Sequence, residues 1–249
     1  MNRLRSWLGW MRSMPDGDGD GDGLSQPNLK FPLIIAVSGK LGTGKDYIIE
    51  NYILPMITGK VTKMAFADHI KVNVASQDPH INLSQCLEGR KDTCLRKKLQ
   101  VAGTEQGRNV YGPDIWVRTL ENWIKLRQIR GDRIDVVLVT DCRFPNEAEW
   151  VVKNGGLLIR VESPERNLFA LDKESEDDIE KLLSIMNHPS ETSLDDFPFD
   201  YHIYNDEDAE IEPQLINIIT NFLMNRSERS LFRFPKLMDG YHPLIDWIL

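Results

Sequence analysis

Along the chain, short unbroken apolar runs alternate with longer stretches whose apolar residues recur every three or four positions. The runs are FPLIIAV (31–37), VTKMAF (61–66), VVLVT (136–140), LLIRV (157–161) and YHIY (201–204). Their length and β-branched content predict strands, and a run without polar alternation predicts a strand buried on both faces. Between them lie predicted helices: one after a glycine-rich turn to about Met56, then 92–108, 114–130 and 146–154, a short amphipathic one over 177–187, and a core helix to about Arg226. Ile115, Leu120, Trp123 and Ile124 recur at roughly helical spacing, and Leu215, Ile218, Ile219 and Phe222 share one face of the last helix. Gly155-Gly156 ends the 146–154 helix. Strands alternating with helices predict an α/β fold with a parallel sheet covered on both sides, and ligands bind such sheets beyond the carboxyl ends of the strands.

Composition narrows the class. The 249 residues suffice for one large α/β domain or two small ones. With 41% apolar and 27% charged residues the chain reads as a soluble globular protein. A net charge of −8 argues against coating a nucleic acid polymer, which needs a basic face, though not against a local basic cleft. Cys86, Cys94 and Cys142 form no CxxC pair and no metal-ligand spacing, which fits a reducing compartment. The histidines (His69, His80, His188, His202, His242) show no metal spacing either. No apolar run approaches the roughly 20 residues of a membrane helix, so no membrane span is expected.

The first 30 residues stand apart. MNRLRSWLGWMRSM carries Arg3, Arg5 and Arg12 and no acid. That suits a transit-like or membrane-surface segment, but it lacks the long apolar region of a secretion signal and reads first as a poorly ordered extension. PDGDGDGDGLSQPN (15–28) reads as a flexible linker, since alternating Asp and Gly repel, pack nothing and carry high backbone entropy. It is no EF-hand: a loop begun at Asp16 puts Pro27, and one begun at Asp18 puts Leu29, where the closing glutamate belongs. The chain thus divides into 1–30, a folded domain over 31–226, and an extension over 227–249. In that extension Phe232, Phe234, Tyr241 and Trp247 are read as packing back on the domain, with a homodimer or partner contact as the alternative.

The strongest chemical signal follows the first strand. Gly39-Lys40-Leu41-Gly42-Thr43-Gly44-Lys45-Asp46 has the spacing G-x-x-x-x-G-K between a buried strand and a helix, the pattern of a phosphate-binding loop. The glycines let successive N–H groups face one anion, the helix N-terminus adds partial positive charge, and Lys45 reaches the β- and γ-phosphates. Asp46 stands where Ser or Thr ordinarily ligates Mg²⁺. A carboxylate is a suitable hard donor for that ion, or it stabilises the helix N-terminus, and both readings stay open.

Asp141 closes the VVLVT strand, the usual place of the second Mg²⁺-positioning group in a P-loop enzyme, with a turn residue as the alternative. Arg143 follows and either points into the same crevice or pairs with Glu147 at i+4. Phosphoryl transfer spreads negative charge that positioned guanidinium groups counter. Arg90, Arg96, Arg108, Arg118, Arg143, Arg160 and Arg166 are candidates, although for any single upstream arginine a solvated face or local ion pair is the simpler reading. Arg160 lies in an otherwise apolar strand and so needs a polar cleft or an acid. Arg166 lies in ESPERN, a loop able to close as a lid. A phosphate acceptor, with its second pKa of about 6, is already mostly anionic and needs no general base.

As an ordered set, SGKLGTGKD (38–46), FADHIK (66–71), LQVAGTEQGR (99–108), PDIWV (113–117), VTDCRFPNEAE (139–149), GGLLIRVESPER (155–166), HPSET (188–192) and YHIYND (201–206) resemble the phage-type deoxynucleoside monophosphate kinases. The resemblance covers roughly 31–226 and extends more distantly to the animal-type phosphomevalonate kinases, which share the GKD ending of the loop. It implies a three-layer P-loop NTPase with a parallel sheet, nucleoside-monophosphate-kinase-like, with a lid. It implies ATP over Gly39, Gly42, Thr43, Gly44, Lys45 and Asp46, with Asn205 near the adenine, and Mg²⁺ at Asp46 and Asp141. Lys71, Gln100, Thr104, Arg108 and Trp116 fall at the acceptor. Lys45, Asp141 and Arg143 fall at the reacting phosphates, and Arg160 and Arg166 at the lid, which an insertion over 173–187 lengthens. The resemblance leaves the role of Ser190-Glu191 open: Glu191 either orients an arginine or caps local structure.

The expected reaction is ATP plus a (deoxy)nucleoside monophosphate giving ADP plus the diphosphate. Gln100, Tyr111 and Trp116 are candidates for the amide and aromatic walls of a base pocket, which favours a nucleotide over phosphomevalonate. A catalytically silent P-loop domain serving as a binding module is a further alternative, against which the intact Lys45, Asp46, Asp141 and Arg143 speak. A signalling GTPase is disfavoured, since no NKxD-type segment is present. Small-molecule substrates and a cytoplasmic location, the host's if the chain is viral, complete the expectation.

Overall fold

The apolar runs become five parallel strands in the order β2-β3-β1-β4-β5. The computed structural model describes residues 30–87, 93–164, 183–224 and 226–233. The elements below belong to a single unit that begins at Pro32. The strands are β1 (Leu33–Ser38), β2 (Val61–Met64), β3 (Val136–Cys142), β4 (Leu157–Glu162) and β5 (Tyr201–Tyr204). β1 lies between β3 and β4, with Leu33 beside Val136 and Ser38 beside both Cys142 and Arg160.

The helices follow the sheet. α1 starts at Lys45–Ile48, widens into a π-type turn over Ile49–Ile53 and ends as Leu54–Met56. α2 is Asp68–Gln77, α3 Leu83–Leu87, and α4 Thr93–Gly103. α4 continues through a π-type turn, Thr104–Arg108, into Asn109–Tyr111. α5 is Ile115–Ile129, α6 Pro145–Lys153, α7 Pro189–Thr192 and α8 Ile211–Leu223. Side chains alternate across each strand, so Ile35, Val37, Leu138, Ile159 and Ile203 meet Ile48, Ile53, Leu215 and Ile219 of α1 and α8 on one face. The opposite face, with Ile34, Ala36 and Leu158, is covered by α6, which packs on β1 and β4 and in turn against α5. Three layers result, and the expected α/β class with a parallel sheet is borne out.

Several boundaries shift for local reasons. β2 ends at Met64, two residues early, because Ala65 N–H donates to Asp68 Oδ2 and the N–H groups of Phe66 and Ala67 donate to Asp141, which turns the chain into α2. β3 runs on to Cys142, and its register with β1 slips between Ala36 and Ser38 by one extra residue in β3. α2 and α3 carried no periodic signal: only Ile70 and Val74 of α2 and Cys86 of α3 are buried. Of the predicted 177–187 helix, residues 183–186 are helical and the part before 183 lies outside the described residues.

After α8 a 3₁₀ turn, Ser227–Leu231, brings the chain back. Thr58 N–H donates to the Leu231 carbonyl at 2.8 Å, Arg233 N–H to that of Met56 at 2.6 Å, and Phe232 is buried beside Ile57. Phe232 therefore packs on the domain. Phe234, Tyr241 and Trp247 lie outside the described residues, as do the arginine-bearing N-terminus and the Asp/Gly stretch. Among the described residues no helix is long and apolar enough to cross a membrane.

Candidate active site

The loop after β1 is shaped by backbone that only glycine tolerates. Gly39, Gly42 and Gly44 have φ of 152°, 83° and 80°. A Cβ on Gly39 would stand 2.5 Å from the Val161 carbonyl oxygen, so the loop lies directly against β4. Lys45 folds back over this loop, its Nζ donating to the carbonyls of Gly39 at 2.6 Å and Lys40 at 2.9 Å. Burial, with Arg143 nearby, lowers the Lys45 pKa to about 8.

Residues far along the chain brace the loop. Leu41 N–H donates to Glu191 Oε2 at 2.8 Å. Lys40 Nζ donates to Asp195 Oδ2 at 2.7 Å. The buried Asn205 donates from Nδ2 to the Thr43 carbonyl at 2.9 Å, and Thr43 Oγ1 donates to the Lys40 carbonyl. Of the two surroundings expected for Arg160, a polar cleft or an acid, the structure gives the acid: Nη2 donates to Asp195 Oδ1, Nη1 to Ser38 Oγ, and Phe199 lies under the guanidinium.

A cavity of about 980 Å³ opens beyond the strand ends, lined at one end by Gly42, Gly44, Lys45 and Asp46. Asp141 and Arg143 line its middle. Asp141 accepts from Phe66 N–H at 2.7 Å and Ala67 N–H at 3.0 Å, and burial raises its pKa despite the attraction of Lys71. Asp46 has no side-chain partner among the described residues. Arg143 does not pair with Glu147 through its side chain. Its backbone N–H donates to Glu147, while its Nη1 donates to Glu191 and to the Ser190 carbonyl. Burial opposes the charge on Arg143, but Glu191, Asp141 and Glu147 outweigh it, so its pKa is raised. Glu147 belongs instead to Arg108, and burial pushes its carboxyl up to about 7 against that arginine's attraction.

The other end of the cavity is built on α2, α4 and α5. Lys71, Gln100, Thr104, Arg108 and Trp116 all line it. Lys71 pairs with Asp68 at 2.9 Å. Trp116 Nε1 donates to the Gly103 carbonyl at 2.8 Å, and its ring lies where a Cβ on Gly107 would stand, so the glycines of LQVAGTEQGR make room for the wall. Arg108 lies 3.8 Å over the Phe144 ring. Arg96, one of many arginine candidates in the sequence, lines this end with no hydrogen-bond partner among the described residues. Burial lowers its pKa, with Glu191 and Arg143 the charges it feels most.

The structure thus gathers Gly42, Gly44, Lys45, Asp46, Asp141, Arg143, Lys71, Gln100, Thr104, Arg108 and Trp116 around one space. Gly39, Thr43, Asn205 and Arg160 stand behind the loop and do not line that space, and neither does Tyr111. Arg166, Arg90 and the start of the 173–187 insertion lie outside the described residues. Sequence reasoning left Glu191 between orienting an arginine and capping local structure, and its carboxylate does meet an arginine, Arg143; Asp195 was not noticed.

The resemblance read from these motifs is borne out by one relative. A stretch of 161 residues, 59% of the chain, is 30% identical to the deoxynucleoside-5'-monophosphate kinase of Escherichia phage T5, and it spans 62% of that protein's length. No protein-family model matches the chain. Among solved structures, TT1252 from Thermus thermophilus is 15% identical with a TM-score of 0.44, over 78% of this chain and 99% of that one. A sugar kinase from a Janibacter species is likewise 15% identical, with a TM-score of 0.40 over 76% and 93% of the two chains.

Proposed function

We propose that this protein transfers the γ-phosphoryl group of ATP to the phosphate of a (deoxy)nucleoside monophosphate. The observation that carries this reading is the single cavity running from the phosphate loop, past Asp141 and Arg143, to Gln100, Thr104 and Trp116. Two substrates that meet phosphate to phosphate need such a space, cationic in its middle and partly aromatic at one end.

The chemistry then follows from the residues. An oxygen of the acceptor phosphate attacks the γ-phosphorus, the bond from that phosphorus to the β-phosphate oxygen breaks, and ADP leaves. No group is required to take a proton, because the acceptor oxygen is already anionic. What this chain supplies is alignment and charge. The loop amides and Lys45 hold the triphosphate, Arg143 meets the charge in flight, and Arg96 with Lys71 grips the acceptor phosphate.

Asp46 and Asp141 fit a Mg²⁺ ion. Both line the cavity, Asp46 is free to bind, and a site of one or two carboxylates completed by phosphate oxygens is the usual form for this ion. Bound there, Mg²⁺ would neutralise phosphate charge.

The test is a coupled assay of ADP release with Mg-ATP and each of the eight common nucleoside and deoxynucleoside monophosphates. Turnover with at least one is expected. Turnover with none would overturn the reading. Thermal stabilisation by mevalonate phosphate, with no stabilisation by any nucleotide acceptor, would replace it with the other small-phosphate acceptor.

A further inference from the structure

We infer that Glu191 is a positioning residue that locks the phosphate loop and Arg143 into one arrangement. The inference rests on the phosphoryl transfer proposed above. The Glu191 side chain is 2% exposed, and its two carboxylate oxygens serve different parts of the fold. Oε2 accepts from the Leu41 N–H of the loop at 2.8 Å, and Oε1 accepts from Arg143 Nη1, just beyond β3. The same Nη1 also donates to the Ser190 carbonyl at 3.1 Å.

Glu191 is itself held. His188 opens α7, accepting at Nδ1 from Ser190 N–H at 3.1 Å, and this fixes the short turn that presents the acid.

A carboxylate beside a phosphate site repels the ligand unless cations offset it. Lys45, Arg143 and Arg96 all register the charge of Glu191, and Lys45 also feels Asp46 while Arg143 also feels Asp141 and Glu147, so Glu191 is one of several acids set among these cations. With Nη1 committed to Glu191 and Ser190, the Nε and Nη2 groups of Arg143 keep their donors unpartnered among the described residues, and the side chain lines the cavity. One buried acid therefore sets both where the loop sits and which edge of the guanidinium faces the reacting phosphates.

Glu191→Gln in the full chain separates these tasks. The amide oxygen still accepts from Leu41, but the charged bond to Arg143 is lost. Using ATP and the nucleoside monophosphate that the wild type turns over fastest, kcat should fall about ten- to a hundredfold, the loss of one charge-assisted hydrogen bond. KM for ATP should stay within about threefold. Arg143→Lys should fall similarly, and the double variant should be no worse than Arg143→Lys alone, since the two losses are one. Wild-type kcat in Glu191→Gln, losses that multiply in the double variant, or a lower melting temperature with unchanged kinetics would each overturn the inference.

The nitrogen-15 spectrum of the arginine side chains reads the same contact without turnover. A slowly exchanging Arg143 signal is expected in the wild type and its loss in Glu191→Gln, and an unchanged signal would also overturn the inference. A wild type silent in the acceptor screen would sink the proposed function and leave this spectroscopic outcome to decide the positioning role.

Discussion

The two ends of the cavity are built on different physical terms. At the glycine loop the bracing groups are already engaged, Lys45 on the loop's carbonyls, Leu41 N–H on Glu191, Lys40 on Asp195 and Asn205 on Thr43, while Asp46 has no side-chain partner among the described residues. At the far end the walls are set by packing, with Gly103 against Ile70 and Gly107 against Trp116, while Arg96, Gln100 and Thr104 present side chains with no hydrogen-bond partner among the described residues. On the proposed function, the contrast teaches that a constant ligand, a phosphate chain, would be met by a frame braced before the ligand arrives. The far end mixes paired groups, Lys71 on Asp68 and Arg108 on Glu147, with the unpartnered Arg96, Gln100 and Thr104, which on the proposed function would be the ones left to engage an acceptor.

Removing a group from the rigid end should do the most damage. Lys45→Ala is expected to lower kcat about a thousandfold in the ADP-release assay, in the range seen when a preorganised donor at the reacting centre is lost. The fold should survive, because the deleted ammonium is disfavoured by burial. Near-normal turnover would break the comparison at its stronger end.

Arg96→Ala sharpens it from the other side. KM for the acceptor should rise about ten- to a hundredfold, as for losing a charged hydrogen bond, with KM for ATP unchanged. If both constants rise together, the two ends are not separate.

The smallest effect is that of pH. With the Lys45 pKa near 8 in the free protein, the ammonium is charged at pH 7 and mostly neutral at pH 9. Bound phosphates favour the charged form, so ATP affinity should be greater at the lower pH. Titration calorimetry should show Kd for ATP about tenfold larger at pH 9 than at pH 7. An affinity that is flat or rises over that interval would show that Lys45 does not meet the triphosphate as an ammonium.

Much of the loop end could be read along the chain, because its parts are consecutive. A buried strand, a glycine turn and a helix leave the N–H groups of one short loop with one place to point, and GKLGTGKD announces that place. Arg160 was legible in a weaker sense: a charge inside an apolar strand required a polar cleft or an acid, but which of them, and which acid, was not written nearby. Arg143 shows where local logic stops. Glu147 four residues on was an available partner, yet it takes the Arg143 backbone N–H and the Arg108 guanidinium, while the Arg143 side chain turns to Glu191. α2 and α3 were silent because a helix that buries only one or two residues leaves no periodic trace.

The sequence by itself determined the strands, the parallel α/β layering and the glycine loop after β1, since each depends on side-chain spacing within a few turns of chain. Only the tertiary structure decided the partners. Leu41 and Glu191 are 150 positions apart, and Lys40 and Asp195 are 155 apart. Such pairs come together because β4 and β5 lie on one side of β1 and β3 on the other. That order is set by how the whole core closes, and no local pattern of apolar and polar residues encodes it.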